Sequence, residues 1–572
     1  MPHMFYQTTA AALLTLSLAL PAPVLAQSGS GAYLAGRHAA FVSDFANGDR
    51  YYARALSYDR DNPSLMESVV VSRLALGEVN KAVPIAQRME ELGLQSQPAH
   101  MTVVADLAAR GEYEAILSRD PETVGVGPLV DGLIAAWAHL GAGSVAQALE
   151  QFDKVAEDDG LRNFALYHKA LALASVGDFE GAEAIFAADE DGMMVSGRAA
   201  IARAEILSQL ERDGDALAML DRVFSNTTDP SLADIVARLQ AGEALPFTQV
   251  RDVRDGMAEI FFAIGQALRR EASPDYVLVY VRVASFLRPD HIDAQLLGAE
   301  LLDGMGQYDL AVETYKKIPT DSPDYYAAEL GRADALRRAD KVNAAIEVLE
   351  KLAREHPELA IVHSSLGDML RQQENYGEAA RAYDRAVDLT EADDPSMWFL
   401  LYARGICHER ERNWEQAESD FRTALELNPD QPQVLNYLGY SLVEKQIKLD
   451  EALGMIERAV AARPDSGYIV DSLGWVLYRL GRYDEAVGHM ETAVSLMPVD
   501  PVVNDHLGDV YWAVGRKREA EFQWKRALSF IKPDDTDGEA DPDRIRSKLE
   551  IGLDAVLAGE GAEPLKVANG SD

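Results

Sequence analysis

The sequence predicts an all-α solenoid built from antiparallel helix pairs. Three observations lead there. A six-residue phrase, Gly-x-aromatic-x-x-Ala, recurs at 177–182, 306–311 and 481–486, with looser copies at 375–379 (Asn-Tyr-Gly-Glu-Ala) and 413–417 (Asn-Trp-Glu-Gln-Ala). Apolar residues on both sides of each phrase follow a helical period, and the Gly or Asn between them marks a turn. The spacing is also nearly constant. Leu507 lies 34 residues after Leu473, Leu438 lies 35 before it, and Arg404 a further 34 before that. A fixed period of this length is the signature of stacked helix pairs, each burying its face on the next.

The elements follow in chain order. Residues 1–26 read as an export signal: Ala10 to Leu20 is an apolar run ended by Pro21, and Val24-Leu25-Ala26 puts small residues where cleavage before Gln27 requires them. The leading segment carries only His3 and no Lys or Arg, which departs from the usual pattern. The run is too short to span a bilayer. Residues 27–228 continue the repeat register through Ala35, Val69, Thr102, Ala135, Lys169 and Arg203, at steps of 33 or 34. Residues 229–255 break it. Arg203 to Ile264 is one repeat too long by 27 residues, which reads as a lone helix from Ser231 to Leu245 and a loop at Pro246-Phe247. The break is either a hinge between two arrays or a repeat that has lost a helix. Residues 256–533 resume through Ile264, Gly298, Arg332 and Leu366. The step from Leu366 to Arg404 is longer because of a polar turn around Pro395. Residues 534–559 form a cap: Asp541 precedes Pro542 as a helix start, Ile545, Leu549, Leu553 and Val556 make one apolar stripe, and Gly559 ends it. Residues 560–572 are a small, polar tail expected to be disordered.

Within one period the pattern is specific. Leu473-Gly474, Leu477, Gly481, Tyr483, Ala486, Met490, Ala493 and Pro498 place small residues where two helices approach and large ones in the seam. This pattern resembles the tetratricopeptide repeat (TPR) family, from about Ala32 to Lys532. The resemblance implies a right-handed superhelical solenoid of about 14 units whose first helices line a concave groove. It also implies a non-catalytic scaffold that binds a protein or peptide there. On that reading, helical geometry turns Asn436 and Tyr440, then Asp471, Trp475 and Tyr478, then Asp505, Asp509 and Trp512 into the groove, with Tyr468 beside them. Aromatic anchors with polar neighbours are the usual energetic centres of an interface; the same aromatics also suit packing between repeats. An acidic column disfavours a carboxylate tail, so the expected ligand is basic or neutral. The chain also resembles the signal-bearing TPR proteins of Gram-negative bacteria, which implies a periplasmic adaptor for envelope assembly, secretion or polymer export. A trans-acting regulator of a peptidoglycan or polysaccharide synthase, or a cytoplasmic adaptor, are the alternatives.

Composition bounds the rest. Asp and Glu number 93 against 54 Lys and Arg, a formal charge of -39, which disfavours nucleic acid and anionic membrane surfaces. The single cysteine, Cys407, excludes an internal disulfide and reads as a small buried apolar residue. No phosphate-binding Gly-rich loop, His-Glu-x-x-His or other metal-ligand spacing occurs. Ser529 to Lys532 matches Ser-x-x-Lys without companion motifs, and Asp535 to Gly538 lacks the acidic residues that complete a calcium loop. No catalytic residue, metal or cofactor is expected. The oligomeric state is left open.

Overall fold

The periodic segments form helices because each carries an apolar stripe, and most first helices of a pair stop at a residue in the left-handed region. In the computed structural model, which describes residues 29–188, 197–224, 230–531 and 540–561, helix is the only regular element among the described residues. The segments assigned above to the export signal, the 535–538 loop and the tail from 562 lie outside them. Among the described residues the helices fall, in chain order, into fourteen successive pairs, with a short helix Pro121–Val124 between the third and fourth, a lone helix Pro230–Gln240 between the sixth and seventh, and two cap helices after the last.

The repeated phrase is the turn inside each pair. Gly177, Gly306 and Gly481 all have positive φ, between 75° and 87°. In the looser copies the same left-handed position falls on Glu374 and Arg412, with φ of 59° and 64°. A side chain there costs about 1 kcal/mol relative to glycine, so register and packing, rather than the turn itself, fix these two pairs. The conserved geometry places the phrase's Ala under the first helix. Ala182, Ala311, Ala379, Ala417 and Ala486 are all fully buried.

The chain divides into two compact units, parting between Ala345 and Ile346. In the first unit the helix pairs do not simply follow one another. A single hydrophobic core joins residues from Met66 to Leu297. The pair Val253–Leu268 and Pro274–Leu287 packs on first helices of the preceding pairs: Pro63–Ala75, Gln97–Ala109, Pro128–Gly141 and Arg162–Ser175. Those first helices would line the groove, so in this unit the chain fills the face with its own helices. The contacts are close and specific. A Cβ on Gly256 would lie 2.5 Å from the Trp137 ring. Arg282 Nε donates to the Ala75 carbonyl at 3.1 Å, and burial pushes its guanidinium down to about 10. Tyr276 donates to Gln97 Oε1, and Gln97 Nε2 donates to Tyr280 Oη.

A buried charge cluster holds the re-entrant pair in place. Arg198 Nη2 donates to Glu259 Oε2 at 2.8 Å, Tyr167 Oη donates to Glu259 Oε1 at 3.1 Å, and His291 Nε2 sits 3.3 Å from Glu259 Oε2. Burial alone would raise the Glu259 carboxyl; the Arg198 charge and the His291 contact outweigh it and hold it well below the carboxylate range. The segment before the pair is also tied down. Glu205 accepts from Thr248 N and Thr248 Oγ1, Ser208 Oγ accepts from Leu245 N, and Arg288 Nη1 donates to the Gln249 carbonyl. The lone helix ends at Gln240, and Leu232, Leu239 and Leu245 pack on Leu207, Ala216 and Leu220. The irregular stretch is therefore where the chain turns back onto its own first helices.

The second unit keeps the regular alternation to its end. Its cap differs from the single helix read from the stripe. Asp541 Oδ1 accepts from Asp543 N and Arg544 N, starting the helix Pro542–Ile551. Gly552 then breaks it at φ 84°, and Leu553–Gly559 follows as a separate helix. The break also excludes a side chain: a Cβ on Gly552 would lie 2.8 Å from the Trp512 ring.

Candidate functional site

Four first helices of the second unit, Met397–Arg410, Pro432–Glu444, Gly467–Arg479 and Pro501–Ala513, line one cleft of about 770 Å³. Its residues come from equivalent turns one repeat apart, so the repeat itself builds the site.

Asn436, Tyr440, Tyr468 and Asp471 all line this cleft. Tyr440 is half-buried and Tyr468 stands on the rim, 59% exposed. Asp471 is buried at 5% exposure. Its Oδ2 accepts from His506 Nδ1 at 3.0 Å, while Oδ1 has no hydrogen-bond partner among the described residues. Asn436 Oδ1, one repeat earlier, is also buried with no partner among them.

Trp475 and Tyr478 belong to the packing beneath the cleft. Trp475 stacks on His506 at 3.9 Å and on Tyr478 at 4.9 Å, and its Nε1 donates to Glu444 Oε1 at 2.8 Å. Both rings are under 10% exposed, and burial pushes the Tyr478 hydroxyl well above its ordinary value.

Asp505, Asp509 and Trp512 meet the cap. Lys548, fully buried, donates to both carboxylates at 2.7–2.9 Å. Trp524 Nε1 also donates to Asp509 Oδ1. Burial, with Asp509 next to it, raises the Asp505 carboxyl despite the lysine. Trp512 Nε1 donates to Asp554 Oδ2, and Lys517 lies 4.4 Å from its ring. The acidic column is thus two different environments: at Asn436 and Asp471 a buried oxygen lacks a donor among the described residues, whereas Asp505 and Asp509 receive Lys548 from the cap.

Sequence reasoning passed over His506, Glu444 and Lys548. The signal for Lys548 is present: it falls between Ile545 and Leu549 on an apolar stripe, where a cation needs a buried counter-charge. His506 adjoins Asp505 and Glu444 lies one helical turn after Tyr440, but neither carries a signal of its own until the helices stack. Around the cleft, Glu409, Glu444, Asp471 and Asp500 outnumber Arg410 and Lys445. Arg410 lies 3.9 Å from Glu409, and Lys445 lies over the Trp414 ring. Cys407, behind this wall, is fully buried, and burial pushes its thiol up to about 12. Among the described residues no helix is long and apolar enough to cross a membrane, and no group of three acidic, His or Cys side chains is arranged to hold a metal ion.

Comparison with known proteins agrees with the repeat geometry. Two family models, both described as Tetratricopeptide repeat, match residues 296–360, 330–397 and 444–501 in one case and 398–431 in the other. A TPR repeat-containing protein of Pseudomonas aeruginosa, PA4667, is 37% identical over 83 residues, which is 14% of this chain and 14% of that protein. The chain therefore aligns with only about a seventh of that relative's length. Among solved structures, the APC/C hetero-tetramer Cut9–Hcn1 aligns over 92% of this chain and 96% of that one at 13% identity and TM-score 0.38. Yeast Tom70 aligns over 93% and 98% at 14% identity and TM-score 0.34. Nothing about the cleft follows from likenesses this loose.

Proposed function

The chain carries tetratricopeptide repeats, matched over residues 296–431 and 444–501, and from that premise we propose that it is a non-catalytic adaptor that holds a protein segment in the cleft of its second unit. The observation that carries this reading is the contrast between the two units. The first helices of the first unit are covered by the chain's own Val253–Leu268 and Pro274–Leu287. Those of the second unit leave a cleft with an exposed Tyr468, a half-buried Tyr440 and two buried acceptor oxygens, on Asn436 and Asp471, that nothing among the described residues satisfies. Aromatic rims over unsatisfied acceptors suit an extended or helical segment that supplies donors. Stacked helix pairs are generally used for such presentation rather than for chemistry. The apolar run at 10–20 and the small residues at 24–26 support placing the adaptor in the periplasm, in envelope assembly, secretion or polymer export.

The test is site-directed photocrosslinking from position 468 in cells, comparing the wild-type cleft with Tyr440→Ala and from a neighbouring rim position in Tyr468→Ala. A discrete crosslinked protein that both substitutions remove, at unchanged melting temperature, is expected. Crosslinks that are absent, or indifferent to both tyrosines, would rule out this cleft as the binding site. Sequencing the mature N-terminus addresses the location: Gln27 first is expected, and an intact Met1 would argue for the cytoplasm.

A further inference from the structure

We propose that the cleft selects its segment by a single lysine or arginine side chain docked on Asp471; the inference rests on the adaptor reading above. The starting observation is a carboxylate at 5% exposure with one oxygen committed to His506 and the other without a donor among the described residues. A buried charge left in that state is costly, and a donor that fills it recovers the difference. The Asn436 amide oxygen, at the same helical position one repeat earlier, shares the cleft and the same lack. Two unsatisfied acceptors lining one cleft call for a group with several N–H donors and no acceptor. Among side chains only lysine and arginine fit that description.

The fold contains its own example. Asp505 stands one repeat, 34 residues, after Asp471. There a lysine from the next element, Lys548, donates to both Asp505 oxygens at 2.8 and 2.9 Å. At the same register position Asp471 meets only His506, on Oδ2, and its buried Oδ1 is left without a donor among the described residues. The surroundings fit the same guest. Tyr440 and Tyr468 offer aromatic faces to an alkyl stem and a cation, and the local excess of carboxylates favours positive charge. The two nearby cations, Arg410 and Lys445, are engaged by Glu409 and by the Trp414 ring.

The experiment is selection of a displayed random decapeptide library on the purified full chain. The best sequences are then measured by fluorescence polarisation as synthetic peptides. The expected result is a Lys or Arg at one fixed position. Replacing that residue by norleucine should weaken binding by about tenfold or more, as should Asp471→Asn on the protein side. Affinity should also fall with added salt. If Asp471→Asn fails to fold, the norleucine peptide on the wild-type protein decides alone. Peptides that lack a fixed basic residue but are lost in Tyr468→Ala would overturn the cation inference and leave the adaptor reading in place. No enrichment, or enrichment indifferent to Tyr440→Ala and Tyr468→Ala, would overturn both.

Discussion

Lys548→Met tests how the array is closed. Lys548 has no exposed side-chain surface, and its ammonium lies 2.7–2.9 Å from Asp505 and Asp509, whose side chains are 9% and 2% exposed. Removing the cation leaves two carboxylates one helical turn apart, in low dielectric. Breaking a buried pair in this way costs about 3–5 kcal/mol. The protein has one escape, which bounds the loss. It can protonate one carboxyl, and at pH 7 protonating a group of ordinary pKa near 4 costs about 4 kcal/mol. Asp505 is the one to protonate. Asp509 keeps the Trp524 indole donor and has Arg544 at 3.8 Å. The expected loss is therefore about 4 kcal/mol at pH 7, falling by about 1.4 kcal/mol for each pH unit below it. The sign follows from the direction of the shift. A carboxyl whose folded pKa is raised stabilises the fold most below its unfolded pKa and loses that contribution as pH rises through the folded one. Asp505 is already raised in the wild type, so the variant exaggerates an existing tendency. The assay is hydrogen exchange across residues 501–559 at pH 5 and pH 7, with urea unfolding of the full chain. Asp505→Asn combined with Lys548→Met should recover most of the loss. A loss under about 1 kcal/mol at pH 7, or one no smaller at pH 5, would refute the reasoning.

Two further predictions concern the first unit. Gly256→Leu should push the Val253–Leu268 helix away from Trp137, because even a Cβ there would lie 2.5 Å from the ring. Overpacking of this kind costs about 1–3 kcal/mol or more, and should appear as faster exchange in both 128–141 and 253–268, with 467–513 unchanged. His168 is fully buried, accepts from Trp137 Nε1 on Nδ1, and is pushed by burial down to about 4. A depressed histidine favours the fold above its unfolded pKa of about 6.5. Acidification from pH 6.5 to 4 should thus remove about 3 kcal/mol from this group, and His168→Gln should flatten that part of the stability profile. An unchanged profile would mean that the ring is not held neutral by the fold.

Much of the architecture was legible in the sequence because it is local and repeated. The Gly-x-aromatic-x-x-Ala phrase fixes the turn within a pair, and buries Ala182, Ala311 and Ala486 where the helices touch. The 34-residue step then repeats that packing without reference to distant parts of the chain. The same arithmetic named Asn436, Tyr440 and Asp471, which the structure brings to one cleft with the neighbouring Tyr468, and also Trp475, Tyr478, Asp505, Asp509 and Trp512, which do not line it. It also named the break after 228, while Asp541-Pro542 and the apolar stripe pointed to a cap, read as one helix where the structure has two.

What the repeat cannot specify is anything that depends on residues far apart in the chain. Arg282 donates to Ala75 across 207 positions, so the covering of the first unit's own first helices had no periodic signal. Tyr478 and Trp512 occupy equivalent positions along the helix, yet one stacks on Trp475 and the other donates to Asp554 of the cap. Asp471 and Asp505 are likewise equivalent by spacing. One keeps a buried oxygen without a donor among the described residues and the other receives Lys548, because only the last repeat has a cap to fold over it. Periodicity sets which way a side chain points; burial and charge depend on what the rest of the chain brings to meet it.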